Sequence, residues 1–296
     1  MFNTIRTRRV IIFFAAIAIV FQCAPSSSAK RLFRVFIDPG HTRHTNSVRG
    51  IIGEEYLVNY AVSRHLEELL RADGRFEVGI SRGASNYLGI IPETVASNQV
   101  LLYGIARTTV TNDRRNAQME DKDLAELYAV RYYAIQKKCD LLLSIHFDYV
   151  ADKRHQREEI KNGFHLCVSP NNRRFDESMT AARTIRAALA ARYRSNPTIE
   201  HNKQFITPDI RKHYDLKTLV RDGIALRSLI ILGDAFENAY YERAKITPEV
   251  DVPSVLVECG FLHEKRFLED KELRELANCL YRGLIAYAGL PAGAKP

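Results

Sequence analysis

Apolar residues follow two alternating patterns along the chain. Short apolar runs, typical of strands buried in a sheet, are separated by segments in which apolar residues recur every three or four positions, as on one face of a helix. The predicted strands are Leu32–Ile37, Phe76–Ser81, Asp140–His146, Gly163–Val168, Ile224–Leu232 and Pro253–Glu258. The predicted helices are Glu54–Ala72, Leu124–Lys138, Asp176–Arg194, Asp234–Ala244 and Lys271–Ala288. This alternation favours a single α/β domain with a largely parallel sheet.

Two long segments, 82–123 and 196–252, interrupt the alternation. The first has no sustained period and contains three glycines and a proline. Segments of this length without regular structure are uncommon in compact domains and are usually functional or disordered. We therefore expect two long insertions in a domain that covers residues 30–296. The highly charged stretch 152–162 is predicted to be a surface excursion.

The first 29 residues are predicted to be a signal peptide. Three arginines precede the apolar run Val10–Phe21, which at 12 residues is too short to span a bilayer comfortably. Small residues then lead to a predicted cleavage site near Ala29. Cys23 offers an alternative, because a lipid on this cysteine would tether the protein to a membrane. In both cases we expect export to the periplasm or cell envelope.

The charge of the chain limits its partners. Removal of the signal peptide, with its three arginines and no acidic residues, lowers the formal net charge from +8 to +5. A basic exported protein suits an anionic wall polymer or membrane surface. No basic run is interleaved with aromatic residues, so nucleic acid is not an expected partner.

Four cysteines remain after the predicted cleavage, at positions Cys139, Cys167, Cys259 and Cys279. An even number in an oxidising compartment permits two disulfides. Three of the four lie in or beside apolar strand-like runs, where cysteine is more often a small buried apolar residue. The sequence leaves their disulfide state open.

Three predicted strands lead into a residue that can bind a metal or exchange a proton. His41 follows the first strand, His146 ends the third, and Glu258 ends the last. Glu55 lies in the first turn of the helix that follows His41. Because ligands of open α/β sheets bind outside the carboxyl ends of the strands, these four side chains are expected to converge.

Two histidines and a carboxylate are the ligand types of hydrolytic zinc sites that keep one position open for water. His41, Glu55 and His146 make such a set, and Glu258 would stand beside the water as its proton acceptor. Each residue also has a structural explanation. The histidines could belong to a tight turn and a strand end, Glu55 could favour a helix N-terminus, and Glu258 could form an ion pair.

Five short motifs together resemble those of the zinc-dependent N-acetylmuramoyl-L-alanine amidases. They are Phe36–His41, Gly53–Glu55 with Asn59, Leu142–Asp148, Gly163–Asn172 and Pro253–Phe261, and the resemblance covers roughly Val35 to Leu290. It implies one zinc ion held by His41, Glu55 and His146, with Glu258 as general base and acid. It also implies a mixed, mostly parallel sheet of about six strands, flanked by helices on both faces.

The implied reaction is hydrolysis of the amide bond between N-acetylmuramic acid and L-alanine in peptidoglycan. This would serve cell-wall remodelling or daughter-cell separation, and an activator protein is an expected partner. Two alternatives are a non-catalytic peptidoglycan-binding or regulatory protein of the same fold and a zinc peptidase that cuts within the stem peptide. Because all four chemical positions are filled, the sequence argues against the non-catalytic alternative.

The sequence departs from the family pattern around the site. Thr42–Thr45 replaces the usual glycines after the first histidine, and Phe147-Asp148 replaces a small residue and an asparagine. We expect these changes and the two insertions to affect substrate fit more than chemistry. The first insertion could act as an occluding segment.

Other candidate residues are expected to be structural or remain unassigned. We interpret His44 as a solvated loop residue, and His65, His165 and His263 as structural. Cys259 adjoins Glu258 but should point to the opposite face of its strand. Substrate-binding residues stay unidentified, although four side chains of the long insertions could hold carboxylates: Tyr103, Arg114, Arg115 and Arg221.

Overall fold

The computed structural model of the protein describes residues 31–45, 48–112, 119–149, 162–196, 220–246 and 251–291. Its main feature is a seven-stranded sheet. The strands are β1 (Phe33–Pro39), β2 (Arg49–Gly50), β3 (Gly53–Glu54), β4 (Phe76–Ile80), β5 (Leu141–Asp148), β6 (His165–Val168), β7 (Val220–Arg221), β8 (Ile224–Leu226) and β9 (Ser254–Phe261). The main sheet has the order β4-β1-β5-β9-β6-β8-β7, and β2 and β3 form a separate hairpin.

Most neighbouring strands of the main sheet are parallel. β4, β1, β5 and β9 run parallel to one another, β6 is antiparallel to β9 and parallel to β8, and β7 is antiparallel to β8. The predicted mixed, mostly parallel sheet is therefore confirmed. The additional strand is β7, whose two residues are too few to show a period in the sequence.

The prediction of a strand over Ile224–Leu232 is wrong in its second half. β8 ends at Leu226, and Ile230–Leu232 form a buried 3₁₀ turn. A short apolar run shows that a segment is buried without showing whether it is a strand or a helical turn, which explains the error.

Seven helices within the described ranges cover the two faces of the sheet. They are α1 (Glu55–Asp73), α2 (Ile90–Ser97), α3 (Gln99–Asn112), α4 (Asp121–Gln136), α5 (Phe175–Ala190), α6 (Ala235–Ala244) and α7 (Asp270–Tyr287). α1, α5 and α7 contribute to one hydrophobic core, and α2, α3, α4 and α6 to the other. Successive strand residues alternate between the cores, as Leu142 and Leu143 do. This explains why the strands read as continuous apolar runs.

The described part of the first predicted insertion is largely helical, contrary to the expectation of a segment without a period. It contains α2 and α3, whose Ile91, Leu102 and Ile105 are buried in the second core. Pro92 lies in the first turn of α2, where a helix tolerates proline. Gly104 lies where the Tyr240 ring packs, because a Cβ atom there would be 2.5 Å from the Tyr240 hydroxyl oxygen. Gly104 therefore obscures the helical period in the sequence but makes room for the Tyr240 ring in the structure.

Buried hydrogen bonds and ion pairs connect α6 to α4. The Arg131 guanidinium donates to both carboxylate oxygens of Glu237, at 2.7 and 2.6 Å, and also to Asp251. Asp234 caps α6 by accepting from the Glu237 backbone N–H at 2.8 Å, and it accepts from the Tyr128 hydroxyl at 2.7 Å. The buried charges of Arg131 and Glu237 are therefore paired across the two helices, as buried charges generally are.

Several predictions fall outside the described residues. These are the signal peptide with Cys23, most of the charged stretch 152–162, and residues 197–219 and 247–250 of the second insertion. None of the helices in the described ranges is long and apolar enough to cross a membrane. Cys139, Cys167, Cys259 and Cys279 form no disulfide with one another, and the last three are buried.

Candidate metal centre and catalytic cleft

Three of the predicted residues meet at the carboxyl edge of the sheet. His41 lies just beyond β1, His146 lies near the end of β5, and Glu55 is the first residue of α1. Their nearest nitrogen and oxygen atoms all lie within 4.8 Å of one another. Glu55 Oε1 is 3.3 Å from His41 Nε2 and 3.4 Å from His146 Nδ1. The arrangement brings two imidazole nitrogens to one carboxylate oxygen.

Hydrogen bonds on the far side of each imidazole define which nitrogen carries the proton. His41 Nδ1 contacts the Thr45 carbonyl oxygen at 3.1 Å, and a carbonyl can only accept, so Nδ1 carries the hydrogen. Ser144 Oγ donates to Asp38 Oδ2 at 2.9 Å and therefore accepts from His146 Nε2 at 3.1 Å. The lone pairs of His41 Nε2 and His146 Nδ1 consequently face Glu55.

This donor set fits a divalent cation. Two lone-pair nitrogens and a carboxylate oxygen that face one another have no hydrogen to share, so they require a cation or a proton between them. Burial by itself would raise the pKa of Glu55, but its contacts with the His146 and His41 side chains outweigh burial and lower the pKa to about 2, so Glu55 is a carboxylate. Two nitrogens and one carboxylate are a ligand set of zinc, with one position left open.

Gly40 makes room for the His146 imidazole. A Cβ atom on Gly40 would lie 2.1 Å from His146 Nε2 and Cε1, closer than any contact between non-bonded atoms. The next residue, His41, has a φ of 61°, in the left-handed region that only a few non-glycine residues adopt. The tight backbone between β1 and His41 therefore determines where both histidines lie.

Replacing Gly40 with alanine is expected to weaken binding of a divalent metal ion at this site about 10–100-fold, the cost of disturbing the groups that orient a ligand. The added methyl group would push the His146 ring away from Glu55. Competition with a chelator would measure the affinity. Gly83→Ala is the matched control, because its Cβ would meet only ordinary contacts, the nearest at 3.9 Å. If metal affinity is unchanged in Gly40→Ala, the close approach of Gly40 to the His146 ring is not required for metal binding.

Arg82 is a supporting residue that the sequence analysis missed. It lies just beyond β4 and is only 1% exposed. Its guanidinium donates to the backbone carbonyl oxygens of Gly40 at 2.9 Å and Tyr56 at 2.6 Å, and also to that of Pro39. Burial lowers the pKa of Arg82 to about 10. The sequence feature that could have identified Arg82 is a charged residue at the carboxyl end of a predicted buried strand.

The bulky residues after His41 form a closed turn. The Thr42 backbone N–H donates to Thr45 Oγ1 at 2.8 Å, and the two threonine hydroxyls are 3.0 Å apart. The same turn presents the Thr45 carbonyl oxygen to His41. The residues that replace the usual glycines therefore form a loop that orients His41. Phe147, the other bulky replacement, is buried against Phe267.

Glu258 lies next to His146 on the neighbouring strand. The two residues are register partners in the parallel pair β5 and β9, so their side chains lie on the same face of the sheet. Burial, followed by the negative charges of Asp148 and Glu55, raises the pKa of Glu258 well above its ordinary value, against the opposing charge of Arg227. A carboxyl group with a raised pKa is suited to exchange protons near neutral pH.

A cleft of about 250 Å³ opens beside His41 and His146. Its lining is mostly apolar, and much of it comes from the two segments predicted as insertions. Tyr87, Met119 and Asp123 come from the first segment, and Ser228–Ile231, Asp234 and Phe236 from the second. The helical layer over the second core therefore also forms the wall of the cleft.

The remaining candidates do not join this site. His44 is exposed, His65 contacts Asp270 at 2.8 Å, and His263 contacts Asn162 at 3.3 Å. Cys259 is buried in the core on the opposite face from Glu258, as predicted. Arg221 lies over the Phe175 ring, and Tyr103 packs against the second core. Arg114 and Arg115 lie outside the described residues.

Two histidines, a carboxylate and an adjacent glutamate at the carboxyl edge of an α/β sheet are typical of metal-dependent hydrolases. A family model described as N-acetylmuramoyl-L-alanine amidase matches residues 35–286. The chain therefore belongs to this amidase family, which confirms the resemblance seen in the motifs. The family acts on peptidoglycan, the polymer of the bacterial cell wall. A comparison with curated protein sequences gave no match.

Solved structures share the fold at low sequence identity. The CwlD amidase from Clostridioides difficile, solved in complex with the GerS lipoprotein, matches with a TM-score of 0.52 and 16% identity over 87% of this chain and 98% of that chain. The catalytic domain of the amidase CwlV from Bacillus (Paenibacillus) polymyxa var. colistinus matches with a TM-score of 0.51 and 15% identity over 88% and 100%. At these identities the likeness concerns the fold.

Proposed function

We propose that this amidase uses zinc to hydrolyse the bond between N-acetylmuramic acid and L-alanine, with His41, Glu55 and His146 as ligands and Glu258 as general base and acid. The observation that carries the proposal is the convergence of two lone-pair nitrogens and the Glu55 carboxylate beside Glu258. When bound, zinc would supply Lewis-acid chemistry that acidifies water and polarises a carbonyl group.

The residues around the site have distinct roles in this proposal. Glu258 takes a proton from the attacking water and returns it to the alanine nitrogen as the C–N bond breaks. The contacts of Thr45 and Ser144 hold the histidines in the tautomers that leave a lone pair for the metal. Arg82 keeps the Gly40 and Tyr56 carbonyl oxygens in place, and with them the start of α1 that carries Glu55.

We also propose that the protein is exported and acts in wall remodelling or daughter-cell separation. The apolar segment after the N-terminal arginines supports export, and a peptidoglycan substrate requires it. The structure of the CwlD amidase with the GerS lipoprotein supports the proposal of a protein activator for this chain. Cys23 remains the proposed alternative site of a membrane tether.

Incubation of residues 30–296 with purified peptidoglycan sacculi would test the proposed bond specificity. The expected products are free stem peptides with L-alanine at the amino terminus and glycan strands left intact, identified by mass spectrometry. A chelator should abolish release, and added zinc should restore it. Shorter peptides would instead indicate a zinc peptidase that cuts within the stem, and retention without release would indicate a binding or regulatory protein.

A further inference from the structure

Glu258 is the last residue of β9 that pairs with β6. Its register partner there is the buried His165, and the preceding residues of β9 continue the pairing regularly. On the other side of β9, the register with β5 shifts after Glu258, so that the next three residues of β9 span only two residues of β5. Such a bulge bends a strand and changes the direction of nearby side chains. The backbone just after Glu258 therefore needs another means of support on the β6 side.

Glu264 supplies a hydrogen-bond acceptor at this point. Its Oε1 atom accepts from the backbone N–H of Phe261 at 2.8 Å and from that of Gly163 at 3.1 Å. Gly163 precedes β6 and Phe261 ends β9, so one carboxylate oxygen joins the two chain segments where their ladder has ended. Both residues are buried. Because a buried backbone N–H without an acceptor is costly, this contact stabilises both segments.

The Glu264 carboxylate is itself held in place from several sides. The Glu264 backbone N–H donates to the Phe261 carbonyl oxygen at 2.9 Å, which closes a turn around the side chain. Arg266 donates to Oε2, and the Glu264 side chain is only 9% exposed. Gly260 leaves room for the carboxylate, because a Cβ atom on Gly260 would lie 3.0 Å from Glu264 Oε1. A carboxylate with these contacts can hold the bulge in one geometry.

We propose that Glu264 is a positioning residue for Glu258 and that it acts through the backbone of residues 259–261. This inference rests on the proposed role of Glu258 as general base and acid. The Glu264 carboxylate takes no part in proton transfer. By fixing the bulge, it keeps the Glu258 carboxyl group directed at the attacking water beside His146. The sequence analysis did not identify Glu264, which lies three residues beyond the last motif.

Glu264→Leu tests this proposal through kcat, KM, zinc content and melting temperature. Leucine keeps much of the side-chain volume but removes the acceptor. We expect kcat for stem-peptide release to fall about 10–100-fold, because a displacement of about 1 Å near the reacting atoms can cost about 100-fold. KM and zinc content should stay near those of the parent protein, because the converging ligand atoms and the cleft lining come from other residues.

Glu264→Gln and Glu269→Leu are the matched controls. Glutamine keeps an oxygen that can accept from both backbone N–H groups, so Glu264→Gln should recover most of kcat. Glu269 lies in the same connection between β9 and α7, but its side chain is exposed and makes no capping hydrogen bond to α7. Replacing Glu269 with leucine should therefore leave kcat unchanged.

A double variant separates positioning from a general structural role. In Glu258→Gln, the group that Glu264 is proposed to position can no longer transfer a proton. Adding Glu264→Leu to Glu258→Gln should therefore change kcat by no more than about twofold, because residues that act as a unit are not additive. A further loss as large as that of Glu264→Leu alone would overturn the proposal and indicate a structural role.

The outcomes separate this inference from the proposed function. A parent protein that releases no stem peptide would refute the proposed function and, with it, the inference. An active parent whose kcat is unchanged in Glu264→Leu would refute only the role of Glu264. If the leucine variant does not fold, Glu264→Ala takes its place, and a kcat equal to that of Glu264→Gln would refute the role. Loss of zinc together with activity would also contradict it.

Discussion

Replacing Glu258 with glutamine is expected to lower kcat for stem-peptide release by about 10²–10⁴-fold, the usual contribution of a general acid–base group. Glutamine keeps the size of the side chain but can neither take a proton from water nor return it to the leaving nitrogen. Zinc content should not change, because Glu258 is not one of the three residues whose ligand atoms converge. Steady-state kinetics on sacculi and metal analysis of the same sample would measure both quantities.

The same substitution at Glu275 is a suitable control. Glu275 lies on α7, where it accepts a hydrogen bond from Asn278 at 3.4 Å, and its loss should leave kcat unchanged. If Glu258→Gln remains active, Glu258 is not the general base and acid. Another group must then accept the proton of the attacking water. Loss of zinc from this variant would instead indicate that Glu258 belongs to the ligand set.

Replacing Glu55 with glutamine is expected to weaken zinc binding strongly. The loss should exceed about 10–100-fold, which is the cost of disturbing a residue that contacts a metal ligand without binding the metal itself. Glu55 is the only negatively charged member of the converging set, and glutamine would leave three neutral donors around a divalent ion. Activity should fall with metal occupancy and recover in part when excess zinc is added. Chelator competition and zinc-dependent kinetics would measure the two effects.

Glu54→Gln is the control for this experiment, because Glu54 is the adjacent acid at the same helix start. The side chain of Glu54 is 34% exposed and lies 3.5 Å from Arg49, whereas that of Glu55 is 5% exposed and faces the histidines. Zinc affinity should be unchanged in Glu54→Gln. An unchanged affinity in Glu55→Gln as well would exclude Glu55 as a ligand. Together, the Glu258 and Glu55 variants separate loss of proton transfer from loss of metal.

The sequence was informative where function depends on short segments. β1, β5 and β9 were predicted from their apolar runs, and the residues at their carboxyl ends were predicted to meet because parallel strands share one edge. His41, His146 and Glu55 do meet. The prediction was poorest between 82 and 123, where Pro92 and Gly104 obscured two helices. In α3 a tertiary contact explains the glycine, because the absence of a side chain at Gly104 makes room for the Tyr240 ring of α6.

By itself, the sequence determined the fold class, the family and which residue types lie at the ends of the strands, because these follow from local period and motif. The tertiary structure alone decided which atoms support the site. Arg82 contacts Gly40 across 42 positions, Ser144 contacts Asp38 across 106, and Glu258 lies beside His146 through strand register. Such contacts depend on the order and register of strands, which no local pattern encodes.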